Sequence, residues 1–288
     1  MDEFFPGTTW RLLITPPASG AWNMAVDETL LEAVERGESK PALRLYAWEP
    51  ACLSIGYTQP CADADPLRLA ARGWDLVRRP TGGRAILHTD ELTYAVIGPE
   101  TEPRLAGSVL VSYKRLAAAL LAALQQLGIP AEASPDPLPA RSAAPAPPGV
   151  ERRKQEGPVC FEVPSNYEIT AGGKKLVGSA QARRREGVLQ HGSLPLSGDL
   201  TRITQALAYP NEAARAAAAS RLLERAATVQ DLLGRPLSWD TAARAFVTAF
   251  SQTLKLDFLE EPLSEAEEQR ARVLVVEKYA NQEWTGRL

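Results

Sequence analysis

The sequence predicts a mixed α+β fold built on a mainly antiparallel sheet, with packed helices and a helical C-terminal segment. Three observations predict it. Short runs alternate apolar and polar residues through the first two thirds of the chain, helix-period stripes with capping residues interrupt them, and from Leu200 onward the helical pattern takes over. There is no internal repeat.

Taken in order, residues 10–14 form an opening strand. Asn23 can cap a helix whose apolar face is Val26, Leu30, Ala33 and Val34, with Asp27 and Glu28 near its start, where the helix dipole favours acids. Strand-like alternation follows at Leu43/Leu45, Leu53/Ile55/Tyr57 and Leu92/Tyr94/Val96. Thr81-Gly82-Gly83 turns the chain between residues 76–79 and 85–88. Ser108 opens a helix carrying Tyr113, Leu116, Leu120, Leu124 and Leu127, which Gly128-Ile129-Pro130 closes. Residues 131–157 are rich in Pro, Ala and charge with no apolar period, and are read as a long, mobile surface loop. Strands resume at 159–161, 166–169, 175–182 and 188–194. Thr228 with Asp231, Ser238 before Trp239, and Ser264 with Glu267 mark successive helix starts.

The chain has 288 residues, 45% hydrophobic and 23% charged, which suits a soluble globular protein with a sizeable core. A formal charge of −3 gives no general attraction to nucleic acid or to an anionic membrane. No secretory signal and no run of about 18 apolar residues is present, so a cytoplasmic location is expected. Cys52, Cys61 and Cys160 are an odd number at no metal-like spacing, and read as reduced thiols.

Three segments differ from generic core or loop. In the stretch from Arg78 to His88, the paired glycines let backbone approach a ligand and offer bare N–H groups, although on the glycines alone a plain hairpin turn with a basic rim is the stronger reading. Cys160 follows a long polar loop into a strand, where it can stay accessible, whereas Cys52 and Cys61 read as small buried hydrophobes. Gly172-Gly173-Lys174-Lys175-Leu176-Val177-Gly178-Ser179 leads a lysine into an apolar strand. If Lys175, Val177 and Ser179 share one face, Lys174 faces the other way with Leu176. His88 and His191 each end a strand-like run, and either can serve as a general base or as a satisfied structural residue.

The chain resembles the lipoate-protein ligase and octanoyltransferase superfamily, whose catalytic fold biotin protein ligases share, and within it the LipM-type octanoyltransferases. The resemblance rests on ordered motifs: residues 78–88, Glu91-Leu92-Thr93-Tyr94, Pro158-Val159-Cys160-Phe161 with residues 164–169, residues 175–181, and Leu189-Gln190-His191-Gly192. Asn23-Met24-Ala25-Val26-Asp27-Glu28 and residues 278–284 extend it over nearly the whole chain. Several ordered motifs agreeing carry far more weight than one.

What the resemblance implies is specific. The family's fold would make residues 1–288 one catalytic domain, with the ligase- or transferase-like core at about 38–250, the loop at 131–157 and a helical extension at 251–288. Cys160 matches a cysteine that takes octanoate from acyl carrier protein as a thioester and passes it to a lysine of a lipoyl domain, in particular the H protein of glycine cleavage. Lys175 matches the lysine that lowers the pKa of that thiol and contacts the thioester. Substrate-binding positions fall on Arg79, Thr81, Gly82, Gly83, Arg84 and His88, then on Gly178, Ser179, Ala180, Gln181 and His191. Apolar strand residues would form a tunnel for the acyl chain. No cofactor or metal, no nucleic acid and no membrane is implied, and a monomer is expected.

Thioester exchange is nearly energy-neutral and thioester-to-amide transfer runs downhill, so the scheme is ping-pong without ATP. Carrier proteins are acidic, and Arg152-Arg153-Lys154 with Arg183-Arg184-Arg185 offer local positive charge. Arg84 stands where ATP-using ligases of the superfamily often carry a third glycine, which argues against adenylation. The competing readings are an ATP-dependent lipoate ligase, an amidotransferase between lipoyl domains, and a non-catalytic acyl-carrier-binding protein.

Overall fold

The computed structural model of the chain describes residues 5–134, 159 and 168–288. Cys160, residues 135–157 of the expected loop, and Arg152-Arg153-Lys154 lie outside the described residues.

An eight-stranded sheet organises the molecule. Its strands are β1 (Thr8–Ile14), β2 (Ala42–Tyr46), β6 (Glu91–Pro99), β7 (Ala131–Ser134), β8 (Glu168–Ala171), β9 (Lys174–Arg184), β10 (Gly187–Pro195) and β11 (Leu256–Glu260). They run in the order β11-β1-β2-β6-β10-β9-β8-β7. The β11, β1 and β2 edge is parallel, and every further pairing is antiparallel. Period-2 alternation sends Leu12, Leu43, Leu45 and Val96 to one face and Leu13, Ala42, Ala95 and Ile97 to the other. Helices α3 (Val109–Gln126) and α6 (Trp239–Leu254) bury the first face, with Leu116, Leu120, Phe246 and Phe250 in the same core. Helices α1 (Gly20–Glu35) and α7 (Glu265–Leu274) cover the second. With both faces of the sheet covered, every residue of β2 and β10 and all but the last of β6 are buried.

A smaller sheet, β4 (Asp75–Arg78), β3 (Cys52–Ile55) and β5 (Ile86–His88), carries the site-forming turn. The turn at Gly82-Gly83 is not a hairpin: β4 and β5 flank β3 and do not pair with each other, so the chain must cross over β3 between them.

Four local expectations change. Helix α1 starts three residues earlier than Asn23, with Ser19 as N-cap, its hydroxyl accepting from the Trp22 N–H. Asn23 is fully buried inside the helix and donates to the carbonyls of Ala18 and Ala47. Asp27 and Glu28 therefore sit mid-helix and are buried, where only specific partners can hold them. Residues 131–134 form edge strand β7 rather than loop. The C-terminal segment is not purely helical either, because β11 pairs with β1 and extends the main sheet. The chain also carries helices α2 (Pro66–Ala71), α4 (Glu212–Arg225) and α5 (Val229–Leu233), and the expected caps at Ser108, Thr228, Ser238 and Ser264 are all present, those of α5 and α7 as complete capping boxes.

The C-terminus returns to brace the small sheet. Lys278 donates to both carboxylate oxygens of Glu28 at 2.6 Å, and the Tyr279 hydroxyl donates to Glu28 as well. The short helix α8 (Gln282–Thr285) places the Trp284 indole N–H on the Arg78 carbonyl at 2.8 Å, while the Arg78 guanidinium donates to the Thr285, Gly56 and Gln59 carbonyls. The opening and closing motifs of the sequence are thus joined in space.

Candidate active site

A cleft opens where α1, β2, β6, the small sheet and the paired middle stretches of β9 and β10 meet. Seven of the residues singled out in the sequence line it: Arg79, Gly83, His88, Gly178, Ser179, Ala180 and His191. Its remaining lining includes Met24, Tyr46, Trp48, Ser54, Ile86 and Thr93, none of which the sequence singled out as site residues.

Arg79 holds the glycine turn in place. It is buried, and its guanidinium donates to the carbonyls of Gly82 (2.8 Å) and Arg84 (2.7 Å) and to the Ser54 carbonyl (3.0 Å) and hydroxyl (3.1 Å). Gly82 and Arg84 enter the site through those backbone carbonyls. Gly83 has φ +89°, a left-handed conformation that favours glycine, and its carbonyl presses against Gly56. A Cβ at Gly56 would lie 2.0 Å from that oxygen. Gly56→Ala should therefore displace the turn and cost at least about 2 kcal/mol of stability, with acyl binding lost alongside. A urea-unfolding midpoint matching the parent would contradict this packing.

Two imidazoles border the cleft, each between a hydroxyl and a carboxylate. His191 Nδ1 meets Asp27 Oδ2 at 3.2 Å, and His191 Nε2 meets Thr81 Oγ1 at 2.7 Å. A carboxylate can only accept, so the ring proton sits on Nδ1 and Nε2 accepts from Thr81. His88 repeats the pattern, with Nδ1 2.6 Å from Glu91 Oε1 and Nε2 2.7 Å from the Ser54 hydroxyl. Asp27 is also paired with Arg44 (2.7 Å), both side chains fully buried, and accepts from the Tyr46 hydroxyl at 2.9 Å.

Burial pushes the Asp27 carboxyl up, but Arg44 and His191 outweigh it and hold the group below its ordinary value. Burial pulls His191 below its ordinary 6.5, with Asp27 only partly opposing. The native state therefore binds fewer protons at His191 than the unfolded chain, and stability falls as pH drops below about 6.5. Asp27, Glu28 and Glu267 are depressed carboxyls, so their contribution is intact there and is lost only in stronger acid. Urea unfolding at pH 7.5 and 5.5 should show a smaller drop for His191→Gln than for the parent. Equal drops would rule His191 out as the source.

Lys175 is 3% exposed, near the start of β9, with its carbonyl accepting from the Ala227 N–H at 3.2 Å. Lys174 is half-buried and spends its ammonium on the Leu223 carbonyl. The alternation argument for choosing between them meets a register shift: Ile169 pairs with Val177 but Thr170 with Lys175, leaving Leu176 as the extra residue. Burial, rather than strict alternation, distinguishes Lys175.

Gln181 turns into a separate polar cluster, donating to Gln190 (2.9 Å) and Ser112 (3.0 Å). The expected basic triplet is mostly engaged internally. Arg183 serves Gln181, Leu105 and Ser112, and Arg184 pairs with Glu28 at 2.8 Å, leaving Arg185 as the largely exposed member. Burial pushes the Cys52 thiol far up, as a small core hydrophobe requires, and Cys61 is half-buried. The Tyr94 phenol, bonded to Ser179 at 2.7 Å and to Gln190, is pushed up by burial to about 12.

A weakly polar cleft beside a glycine turn, with a buried lysine three residues before Gly178 on β9, suits an enzyme that handles acyl groups. Known proteins agree. The lipoyl protein ligase A/B catalytic domain matches residues 19–251. The octanoyltransferase LipM of an Exiguobacterium strain is 42% identical over 281 residues, covering 96% of this chain and 98% of its own. That of Kyrpidia tusciae is 42% identical over 97% of this chain and 99% of its own. Among solved structures, the bipartite lipoate protein ligase of Thermoplasma acidophilum superposes with a TM-score of 0.79 at 26% identity, covering 98% of both chains. The chain belongs to the lipoyl protein ligase A/B catalytic-domain family, as an acyltransferase of its LipM-type octanoyltransferase branch.

Proposed function

We propose that the protein moves an octanoyl group from octanoyl-acyl carrier protein to a lysine of a lipoyl domain, the glycine cleavage H protein in particular, through a thioester on Cys160. The observation that carries this reading is the position of Val159. It is buried at 1% exposure and bridges in parallel to Ala85, which lies between the cleft residues Gly83 and Ile86. The chain is therefore tied to the cleft wall one residue before the cysteine.

In the first half-reaction the Cys160 thiolate attacks the donor thioester carbonyl, and the carrier leaves as its thiol after taking up a proton. In the second, the neutral amine of the acceptor lysine attacks the octanoyl thioester, Cys160 departs as thiolate, and the amine nitrogen gives up its proton to solvent or base. Lys175 stabilises the thiolate and the carbonyl oxygen as charge develops. The close contacts of Glu28 with Lys278 and of Arg78 with Trp284 support treating the whole chain as one catalytic unit. We propose that it acts as a cytoplasmic monomer.

Initial rates measured against both carrier-bound donor and apo-H protein, without ATP, should give parallel double-reciprocal lines. Intersecting lines, or transfer that needs free acid and ATP, would replace this reading with a ligase.

A further inference from the structure

A second cavity lies against the cleft and shares Ile86 with it. Its floor is apolar: Ile86, Leu87, Val159, Leu200, Ile203 and Leu222, brought together from β5, the short stretch Leu200–Gln205 and α4. Its rim is polar, and each charged group on it already has a partner. Arg202 pairs with Asp90 and donates to the Thr89 hydroxyl at 2.9 Å. Asp199 accepts from the N–H (2.8 Å) and the hydroxyl (2.6 Å) of Thr201. The Glu91 carboxylate is shared by His88, Thr93 and Ser193. An occupant that gains from this cavity is therefore uncharged, with apolar bulk for the floor and amide or hydroxyl groups for the rim.

The position of the cavity says what such an occupant is. Val159 lines it and precedes Cys160 in the chain, while Ala85, to which Val159 bridges, lies between the cleft residues Gly83 and Ile86. Thioester exchange at Cys160 brings two groups to one carbonyl carbon: the octanoyl chain, and the arm whose sulfur departs. With the octanoyl chain in the cleft, the departing arm needs a second groove that opens beside the same residues. On an acyl carrier that arm is pantetheine, which between its sulfur and its far phosphate is an uncharged chain of amides, a hydroxyl and geminal methyl groups. We propose that the cavity behind Ile86 holds the pantetheine arm of the donor while its thioester is exchanged onto Cys160. The acceptor lysine fits it less well, because a cation gains most from an acid with no other partner, and Asp90, Glu91 and Asp199 are all engaged. That assignment rests on the octanoyl-transfer reading and adds to it the donor's own subsite.

The test compares octanoyl-pantetheine with octanoyl-N-acetylcysteamine, which share the cysteamine amide and differ in the length of arm beyond it. The thioester formed on the enzyme is followed by intact mass. The parent should load from the full arm with a kcat/KM at least about tenfold higher, because the distant part of the arm contributes binding that the truncated one lacks. Leu200→Trp fills the floor from a half-buried position and should cut that preference to below about threefold. Ser197→Trp, on the half-buried rim, replaces it if that variant does not fold. A folded variant that keeps the parental preference, a parent that loads equally from both, or one that loads only from the carrier protein would overturn the pantetheine subsite while leaving octanoyl transfer standing. An unchanged preference with slower transfer from preloaded enzyme to an apo-lipoyl domain would give the cavity to the acceptor lysine instead. A parent that loads from neither thioester nor from octanoyl-acyl carrier protein would overturn the octanoyl reading, and the subsite with it.

Discussion

Replacing Lys175 with methionine is expected to lower octanoyl transfer by about 10²–10³-fold in a protein that still folds. On the proposed mechanism it removes a preorganised cation from the place where a thiolate and a carbonyl oxygen would carry charge. Lys175 is 3% exposed, and the unbranched, adaptable methionine side chain can fill the space it leaves. Thermal unfolding and single-turnover transfer on the same preparation separate the two effects. A variant that loses Tm and rate together would make Lys175 a structural residue. Unchanged transfer would remove it from the mechanism.

Asp27→Ala should lower the unfolding free energy by about 3–5 kcal/mol, because it strands the fully buried Arg44 guanidinium. Asp27 also orients His191 and accepts from Tyr46, so the loss reaches the cleft as well as the core. The urea midpoint should fall with little change in slope. Replacing both partners, as Asp27→Leu with Arg44→Met, should recover much of the stability, since it removes the stranded charge rather than creating one. A single-variant loss below about 1 kcal/mol would show that water or another group compensates Arg44.

Much of the fold was legible because its signals are local. Ser108, Thr228, Ser238 and Ser264 cap the helices that their spacing announced, and the apolar alternation placed β6, β9 and β10. Strand β11 escaped notice because Leu256–Glu260 is only five residues long and follows a strong helix directly. The start of α1 was misplaced because Asn23 is a good cap by residue type; its burial among Ala18, Ala47 and Arg44 depends on contacts from β2.

The site divides in the same way. The residues singled out in the sequence belong to short motifs, and seven of them line the cleft, although Lys175 does not. The carboxylates that anchor the histidines differ in legibility. Glu91 is three residues from His88 and stood within a recognised motif, whereas Asp27 reaches His191 across 164 residues of sequence. Trp48 and Ser54 carried no local signal, since an aromatic or hydroxyl residue near a strand usually means core packing, and Thr93 stood in the same motif as Glu91 without being marked as a site residue.

The central claim is a covalent octanoyl group on Cys160, and intact-protein mass spectrometry after mixing the enzyme with octanoyl-acyl carrier protein, without ATP, tests it most directly. The account predicts a gain of one octanoyl group that hydroxylamine removes and that Cys160→Ala never acquires. An adduct that survives in Cys160→Ala, or no adduct until free octanoate and ATP are supplied, would contradict it.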